Sequence, residues 1–266
     1  KQFSLDYLFT MSYNIYRIGG PQMNLDKIIA VRTGKTVYKE TDRVIKVFDS
    51  DYSKSDILNE ALNQARAEEA GLNVPKLLGI EKEDGKWAII SEYISGKTVA
   101  DIIAENPDKT DEILKRFAEL QIAFQRNNTS VFARLRDKVE RRITRSQLDE
   151  KSKNRLIGEL CELPDGDSLC HCDFSPSNVI IDEKGNPVVL DWSHAARGAA
   201  EADAASTYLR FLFEDRLKAE KYLYFYCKSA DKKRENIEKL IPIMAAAMSV
   251  SRYASERNVL LRLAVL

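Results

Sequence analysis

The chain has 266 residues, with 41 basic and 41 acidic side chains, which gives a formal net charge of zero at neutral pH. A balanced charge argues against a protein dedicated to binding nucleic acid, because such proteins concentrate positive charge on one face. The four cysteines are too few for a disulfide framework, and no apolar run is long enough to cross a membrane. We therefore expect a cytoplasmic protein that works without nucleic acid or membrane. We also expect a monomer or a weak homodimer.

The first part of the chain is predicted to form a small sheet. Residues 1–22 are an N-terminal extension of uncertain status, because the chain begins with Lys and both Met11 and Met23 are possible starts. Apolar runs rich in β-branched residues then alternate with turn residues, which predicts an antiparallel meander. These runs lie at residues 28–31, 36–39, 44–48, 76–81 and 86–93. Between the third and fourth runs, Ser53 and Asp56 have the spacing of a capping box at the start of a helix.

The rest of the chain is predicted to be mainly helical. Apolar residues recur with the helical period in four segments after Gly96, and helices resume from residue 199 to the end. The four segments are 99–105, 111–125, 134–143 and 151–160. Because strands come first and helices later, the pattern favours an α+β fold with two lobes, 23–95 and 96–266.

The most informative stretch lies where this helical pattern is interrupted. His171, Asp173 and Asn178 fit the pattern His-x-Asp-x4-Asn, and thirteen residues further on comes Asp191. Two apolar runs around Gly185 predict a β-hairpin, which brings Asn178 and Asp191 together at its open end. Asp173 lies on the loop that leads into the same end. An amide and two carboxylates that converge in this way form a hard-oxygen site, which suits Mg²⁺ and nucleotide phosphates.

This combination resembles the aminoglycoside phosphotransferase and choline kinase branch of the protein-kinase-like superfamily. That branch has His-Gly-Asp where this chain has His171, Cys172 and Asp173. The resemblance implies a two-lobe protein-kinase-like fold, with an antiparallel sheet and one helix in the N-lobe and a mainly helical C-lobe that carries the catalytic β-hairpin. It also implies transfer of the γ-phosphate of ATP, with GTP left open, to a hydroxyl of a small molecule.

The same resemblance implies roles for individual residues. Asp173 is expected to be the catalytic base, and Asn178 and Asp191 are expected to hold Mg²⁺. His171 is expected to be a structural hydrogen-bonding residue. Asp203, near the start of the next predicted helix, is expected to support the catalytic loop, although it suits the N-terminal turn of that helix equally well.

Lys46 is the candidate residue for nucleotide phosphates. The strand period of two places it on an apolar face of its strand, where an ammonium group needs a partner. Glu60 on the following helix is our candidate, because the superfamily pairs a strand lysine with a helix glutamate to hold the α- and β-phosphates. Gly34 is either a phosphate-loop glycine or a plain hairpin glycine. By resemblance, main-chain groups near Glu92 and Ile94 contact the adenine edge.

The acceptor is the least determined feature. About ten residues separate Asp191 from the next predicted helix, which leaves no room for the peptide-binding segment of protein kinases. An atypical protein kinase and a nucleotide-binding pseudokinase remain the alternatives. Residues 211–240, the expected lining of the acceptor groove, carry six acidic and eight basic side chains. Without an excess of carboxylates, kanamycin-class polycations are expected to be poor substrates. The basic segment 134–160 is interpreted as a solvated helical surface.

Overall fold

The N-lobe sheet is antiparallel and has five strands. The computed structural model describes residues 27–32, 34–83, 85–127, 130–250 and 254–266, so the predicted extension at residues 1–22 lies outside the described residues. The strands are β1 Lys27–Arg32, β2 Lys35–Glu40, β3 Arg43–Phe48, β4 Leu77–Glu83 and β5 Lys86–Glu92. Their order across the sheet is β1-β2-β3-β5-β4. Each predicted strand is present, with its ends shifted by a residue or two.

One helix, α1 (Lys54–Glu69), connects β3 to β4. Its buried residues Ile57 and Ala61 pack against Phe48 of β3 and Ile89 of β5. This apolar contact fixes α1 beside the central strands, so that polar residues on the same helix can reach the end of β3.

The start of α1 differs from the prediction in one detail. The helix begins after Ser53 as expected, but the capping box is wrong, because no backbone N–H donates to the Ser53 side chain. The Ser53 hydroxyl lies 2.7 Å from the hydroxyl of Ser55 instead. A capping box does form at the next helix, where Thr98 Oγ1 accepts the N–H of Asp101 at 3.1 Å.

The C-lobe is mainly helical. Its helices are α2 Val99–Glu105, α3 Thr110–Gln125, α4 Leu135–Arg145, α5 Glu150–Glu162, α6 Ala200–Glu214, α7 Arg216–Ala230, α8 Arg234–Glu238, α9 Ile241–Met248 and α10 Ala254–Leu263. Helix α3 packs against α7, and α7 against α6. In this core Phe117 of α3 stacks on Phe174, with ring centroids 4.2 Å apart. Phe174 belongs to the segment 171–178, which we call the catalytic loop. No helix in the described part of the chain is long and apolar enough to cross a membrane.

The predicted hairpin between Asn178 and Asp191 is present. Its strands are β8 Val179–Asp182 and β9 Pro187–Val189. Three further strands were missed: β6 Gly96–Thr98, which pairs with β8, and β7 Ser168–Cys170, which pairs with β10 Ala196–Gly198. Strands of three residues are too short to display an alternating pattern in the sequence. The β7–β10 pair brackets the site, because the catalytic loop follows β7 and the Asp191 segment leads into β10.

Candidate active site

The catalytic loop is tied to the hairpin by a buried histidine. His171 is fully buried, with Nε2 2.8 Å from the carbonyl oxygen of Leu190, the residue before Asp191. The backbone N–H of Asp173 donates to His171 Nδ1 at 3.2 Å. A backbone N–H can only donate, so Nδ1 carries no hydrogen and Nε2 donates to Leu190. Both ring nitrogens are therefore engaged in holding the loop, which leaves neither free for proton transfer.

A second buried contact, from Asp203 on α6, supports the backbone of the loop. Asp203 on α6 is fully buried, and its Oδ1 accepts the backbone N–H of Cys172 at 2.7 Å. Its Oδ2 accepts hydrogen bonds from the side-chain amides of Gln121 and Gln125, each at 2.9 Å. Burial raises the pKa of Asp203, and these three donors oppose that change by stabilising the charged form. The carboxylate thus joins α3 and α6 to the loop.

Asp173 itself faces a cation. Arg210 on α6 places its Nε 2.7 Å from Asp173 Oδ1, and its NH1 lies 3.6 Å from Glu256 on α10. Burial raises the pKa of Asp173; Arg210 opposes this change, while the charge of Asp191 adds to it. Asn178 links the two segments, because its side chain donates to the carbonyl oxygen of Asp173 and its backbone carbonyl oxygen accepts the N–H of Leu190 at 2.8 Å, next to Asp191.

Two lysines and two carboxylates meet between the lobes. Lys46 on β3 and Glu60 on α1 form a close ion pair. Lys35 on β2 lies 3.4 Å from Glu60 and 3.3 Å from Asp191, and Lys46 lies 3.7 Å from Asp191. We call these four residues the lysine–carboxylate quartet. It connects the N-lobe to the residue that ends the hairpin.

The charges within the quartet shift the pKa values of Asp191 and Lys46. Burial alone raises the pKa of Asp191, but Lys46 and Lys35 outweigh it and hold that pKa well below its usual range. Burial likewise lowers the pKa of Lys46, but Asp191 and Glu60 outweigh it and raise the net value. Both shifts favour the charged forms of Asp191 and Lys46, so this pair is ionised at neutral pH.

The oxygens at the open end of the hairpin fit a hard cation. Asp191 has the left-handed backbone (φ 58°), and its Oδ1 is buried without a hydrogen-bond partner in the described part of the chain. Asn178 donates its Nδ2 hydrogen to the carbonyl oxygen of Asp173 at 2.9 Å, so its Oδ1 remains to act as a ligand. Among the described residues no three His, Cys, Asp or Glu side chains cluster as metal ligands. A metal here would therefore need phosphate oxygens to complete its coordination.

The remaining predicted residues lie at the edges of this site. Gly34 (φ 75°) lies in the turn between β1 and β2, next to Lys35, and its carbonyl oxygen accepts the N–H of Asp49 at 3.0 Å. Glu92 and Ile94 lie where β5 leads into the C-lobe. The N–H of Glu92 donates to the carbonyl oxygen of Lys76 at 3.0 Å, so a bound base could use its carbonyl oxygen but not this donor.

Sequence reasoning missed four cations around the site: Lys35, Lys138, Arg142 and Arg210. On α4, Lys138 Nζ donates to the carbonyl oxygens of His194 and Ala195 at 2.9 and 3.1 Å. Arg142 Nε donates to the carbonyl oxygen of Ala247 at 2.9 Å. The interpretation of 134–160 as a solvated surface is therefore wrong for these two residues, because they donate to backbone carbonyls of the segment after Asp191 and of α9. Their i, i+4 spacing on α4 was the available signal.

The sequence profile of the phosphotransferase enzyme family matches residues 29–234. This chain belongs to the phosphotransferase enzyme family. Among solved structures, a thermostable mutant of aminoglycoside phosphotransferase APH(4)-Ia in its apo form is 16% identical, with 89% of this chain and 91% of that chain covered and a TM-score of 0.67. Choline kinase LicA from Streptococcus pneumoniae is 17% identical, with 91% of this chain and 92% of that chain covered and a TM-score of 0.63. No curated protein matches the sequence.

The family match and the similar folds confirm three of the predictions made from the sequence. The resemblance to the aminoglycoside phosphotransferase and choline kinase branch is confirmed, and so is the α+β fold with an antiparallel N-terminal sheet and a mainly helical C-terminal part. The predicted enzyme class, a small-molecule kinase with a hydroxyl acceptor, is confirmed as well. The lobe boundaries and the roles of individual residues stay predictions.

Proposed function

We propose that this phosphotransferase transfers the γ-phosphate of Mg²⁺-bound ATP to a hydroxyl group of a small molecule, with Asp173 as the base. The lysine–carboxylate quartet beside the supported catalytic loop carries this proposal. It joins two cations suited to phosphates, a carboxylate suited to a metal and a candidate base in one cleft. The choice between ATP and GTP is left open.

Nucleotide binding is supported by the geometry of the N-lobe. Lys46 and Lys35 present two ammonium groups at the end of the sheet, and Glu60 holds both in place. Phosphate oxygens would bind the lysines as Asp191 does now. In related structures, APH(4)-Ia forms ternary complexes with ADP and hygromycin B and with AMP-PNP and hygromycin B. By analogy, Gly34 lies over the phosphates, and the segment with Glu92 and Ile94 contacts the base.

Asn178 and Asp191 are the proposed Mg²⁺ ligands. The buried Oδ1 of Asp191, without a hydrogen-bond partner in the described part of the chain, supports this role, because such an oxygen is costly unless a cation or a donor reaches it. When bound, Mg²⁺ would neutralise charge on the phosphates of the nucleotide.

Asp173 is the proposed base, and its place on the supported loop beside Arg210 is consistent with that role. As the acceptor oxygen forms its bond to the γ-phosphorus, the bond from that phosphorus to the β-phosphate oxygen breaks and ADP leaves. The hydroxyl proton passes to Asp173, which orients the hydroxyl beforehand. His171 and Asp203 hold the loop so that the carboxylate stays in place. This positioning role for the two buried residues follows from their hydrogen bonds to the loop backbone.

The deciding experiment follows labelled γ-phosphate from ATP. The protein is incubated with Mg²⁺-ATP and a panel of hydroxylated metabolites and antibiotics, and label in small molecules is compared with label in protein. Label in a small molecule, reduced on the order of 10²-fold in Asp173→Asn with nucleotide binding retained, is the expected result. Label only in protein would favour an atypical protein kinase, and nucleotide binding without any transfer would favour a pseudokinase.

A further inference from the structure

The C-lobe helices beside Asp173 contribute cations to the acceptor side of the site. Arg210 on α6 contacts Asp173 directly, at 2.7 Å. Arg142 on α4 is half-buried, and both burial and the charge of Arg210 lower its pKa, with Cys172 opposing them. The packing agrees with this: helix α9 contacts both α4 and α6, and Arg142 Nε donates to the carbonyl oxygen of Ala247 on α9. Lys138, one turn before Arg142, adds a third positive charge.

These cations differ in how many of their hydrogen-bond donors already have a partner in the protein. Lys138 is used structurally, because its ammonium group donates to two backbone carbonyls. Arg142 donates from Nε to Ala247, and a guanidinium group has five N–H donors, so its terminal nitrogens have capacity left. Arg210 Nε is buried and has no hydrogen bond in the described part of the chain, although Asp173 approaches it as an ion-pair partner. Such a donor is suited to an incoming anion.

In the described part of the chain, two acidic side chains, Asp173 and Glu256, form ion pairs with Arg210. Arg210 contacts Oδ1 of Asp173, so Oδ2 can serve the acceptor hydroxyl, and one carboxylate is then shared between the guanidinium group and the hydroxyl. An anionic group on the acceptor would add the charge that Asp173 shares out, and it would offset the repulsion between Arg142 and Arg210.

We propose that the acceptor carries an anionic group, a carboxylate or a phosphate, that binds Arg210 and Arg142 beside the hydroxyl that is phosphorylated. The inference rests on the proposed function, since it concerns the acceptor of that reaction. Arg210 is then a specificity-determining residue. It holds Asp173 through Oδ1 and, together with Arg142, binds the acceptor anion.

The test uses pairs of compounds that differ in one anionic group. Protein saturated with Mg²⁺-ADP, so that the nucleotide site is filled, is titrated by calorimetry with gluconate against glucitol and with glucose 6-phosphate against glucose. Glucosamine serves as the cationic member. The variants are Arg210→Gln and Arg210→Lys, with Arg145→Gln as the matched control, because Arg145 is an exposed arginine near the end of α4.

The anionic member of at least one pair should bind the wild type roughly tenfold or more tightly than its neutral partner, since a charge-assisted hydrogen bond is of that strength. Arg210→Gln should abolish the preference, whereas Arg210→Lys and Arg145→Gln should retain most of it. Which pair responds separates a carboxylate from a phosphate. Equal binding of both members of every pair, or tighter binding of glucosamine, overturns the inference even if Arg210→Gln does not fold. So does a preference that survives in folded Arg210→Gln.

Failure of the inference and failure of the proposed function give different results. Labelled phosphate that passes to neutral or cationic acceptors would refute the anionic acceptor and leave the kinase assignment intact. An anion preference that depends on Arg210, without transfer to any acceptor, would refute the kinase assignment alone.

Discussion

Asp203 accepts the backbone N–H of Cys172 at 2.7 Å, and Cys172 has a left-handed backbone with φ of 63°. The two features belong together, because the left-handed conformation turns this N–H away from the loop and toward α6. The residue before the candidate base is therefore a backbone pivot. Glycine adopts this conformation without strain, which explains why the branch that this chain resembles has His-Gly-Asp here.

Replacing this pivot residue by glycine should not destabilise the protein. Cys172→Gly removes a left-handed strain of about 1–2 kcal/mol and costs a similar or smaller amount in chain entropy and lost burial. We expect the free energy of unfolding to stay within about 1 kcal/mol of the wild type. Cys161→Gly, in the last turn of helix α5, is the matched control and should lose at most about 1 kcal/mol. Urea denaturation measures both free energies of unfolding. A loss larger than about 1 kcal/mol for Cys172→Gly would show that packing of the Cys172 side chain stabilises the protein.

Lys35 should contribute to nucleotide affinity although it lies outside the predicted pair. Its ammonium group contacts both Glu60 and Asp191, so it is held where phosphates would bind. Lys35→Met should weaken ATP binding roughly tenfold, the value of one charge-assisted contact. Lys86→Met, an exposed lysine of β5, is the control and should bind ATP as the wild type does. Fluorescence titration with a labelled nucleotide would check this, and an unchanged affinity in Lys35→Met would limit the phosphate contact to Lys46.

The contrast between Lys46 and Lys35 shows what the sequence can predict. Lys46 stands out because it interrupts an apolar strand, and a buried ammonium group demands a partner. Lys35 follows a turn, where a lysine is ordinary, and only the pairing of β2 with β3 brings it to Asp191. Likewise the spacing from Asn178 to Asp191 reveals a hairpin, because pairing within a hairpin is local in the sequence.

Arg210 could not be found in this way. It lies on a helix 37 positions beyond Asp173 in the chain, and nothing local links the two. A charged residue on a helix is usually solvated, which is also why the α4 cations were misassigned. Long-range packing of α4, α6 and α9 decides their direction, and the sequence of each helix alone does not encode it.

Metal removal should weaken nucleotide binding. If Asn178 and Asp191 hold Mg²⁺, ATP present at about a hundred times its dissociation constant should add roughly 2.7 kcal/mol of stability with the metal. The same concentration of ATP in EDTA should add much less, because Asp191 then faces the phosphates without a bridging cation. Thermal melts with and without EDTA make the comparison. An identical shift in both would contradict the metal assignment, and Asn178→Ala should reproduce the effect of EDTA in part.

The half-buried imidazole of His194 should make the metal-free protein less stable in acid. Burial first and then Arg142 lower its pKa from 6.5 to about 3, with Asp191 opposing and Lys138 and Arg210 adding to the effect. The unfolded chain therefore binds a proton between about pH 6.5 and 3 where the folded one does not, so stability falls as the pH drops through this window. Because the side chain is only half-buried, we expect a loss of about 1 kcal/mol by pH 5. His194→Gln should flatten this part of the pH profile of urea unfolding; an unchanged profile would assign the acid sensitivity to other groups.

Kanamycin-class antibiotics should be poor substrates. The sequence suggested this from the charge balance of residues 211–240, and the site gives a firmer reason, since Arg210 and Arg142 flank the candidate base. A polycation that approaches Asp173 would meet like charges at close range, which lowers both its rate of association and its affinity. We expect a susceptible host that expresses the protein to stay susceptible, and we expect kcat/KM for kanamycin to lie at least roughly a hundredfold below that for the best anionic hydroxyl acceptor. Asp173→Asn, as the inactive control, separates phosphorylation from simple sequestration. High-level resistance together with efficient turnover would mean that Arg210 swings away and exposes carboxylates to the substrate, and Asp173 and Glu256 would then be the residues to mutate.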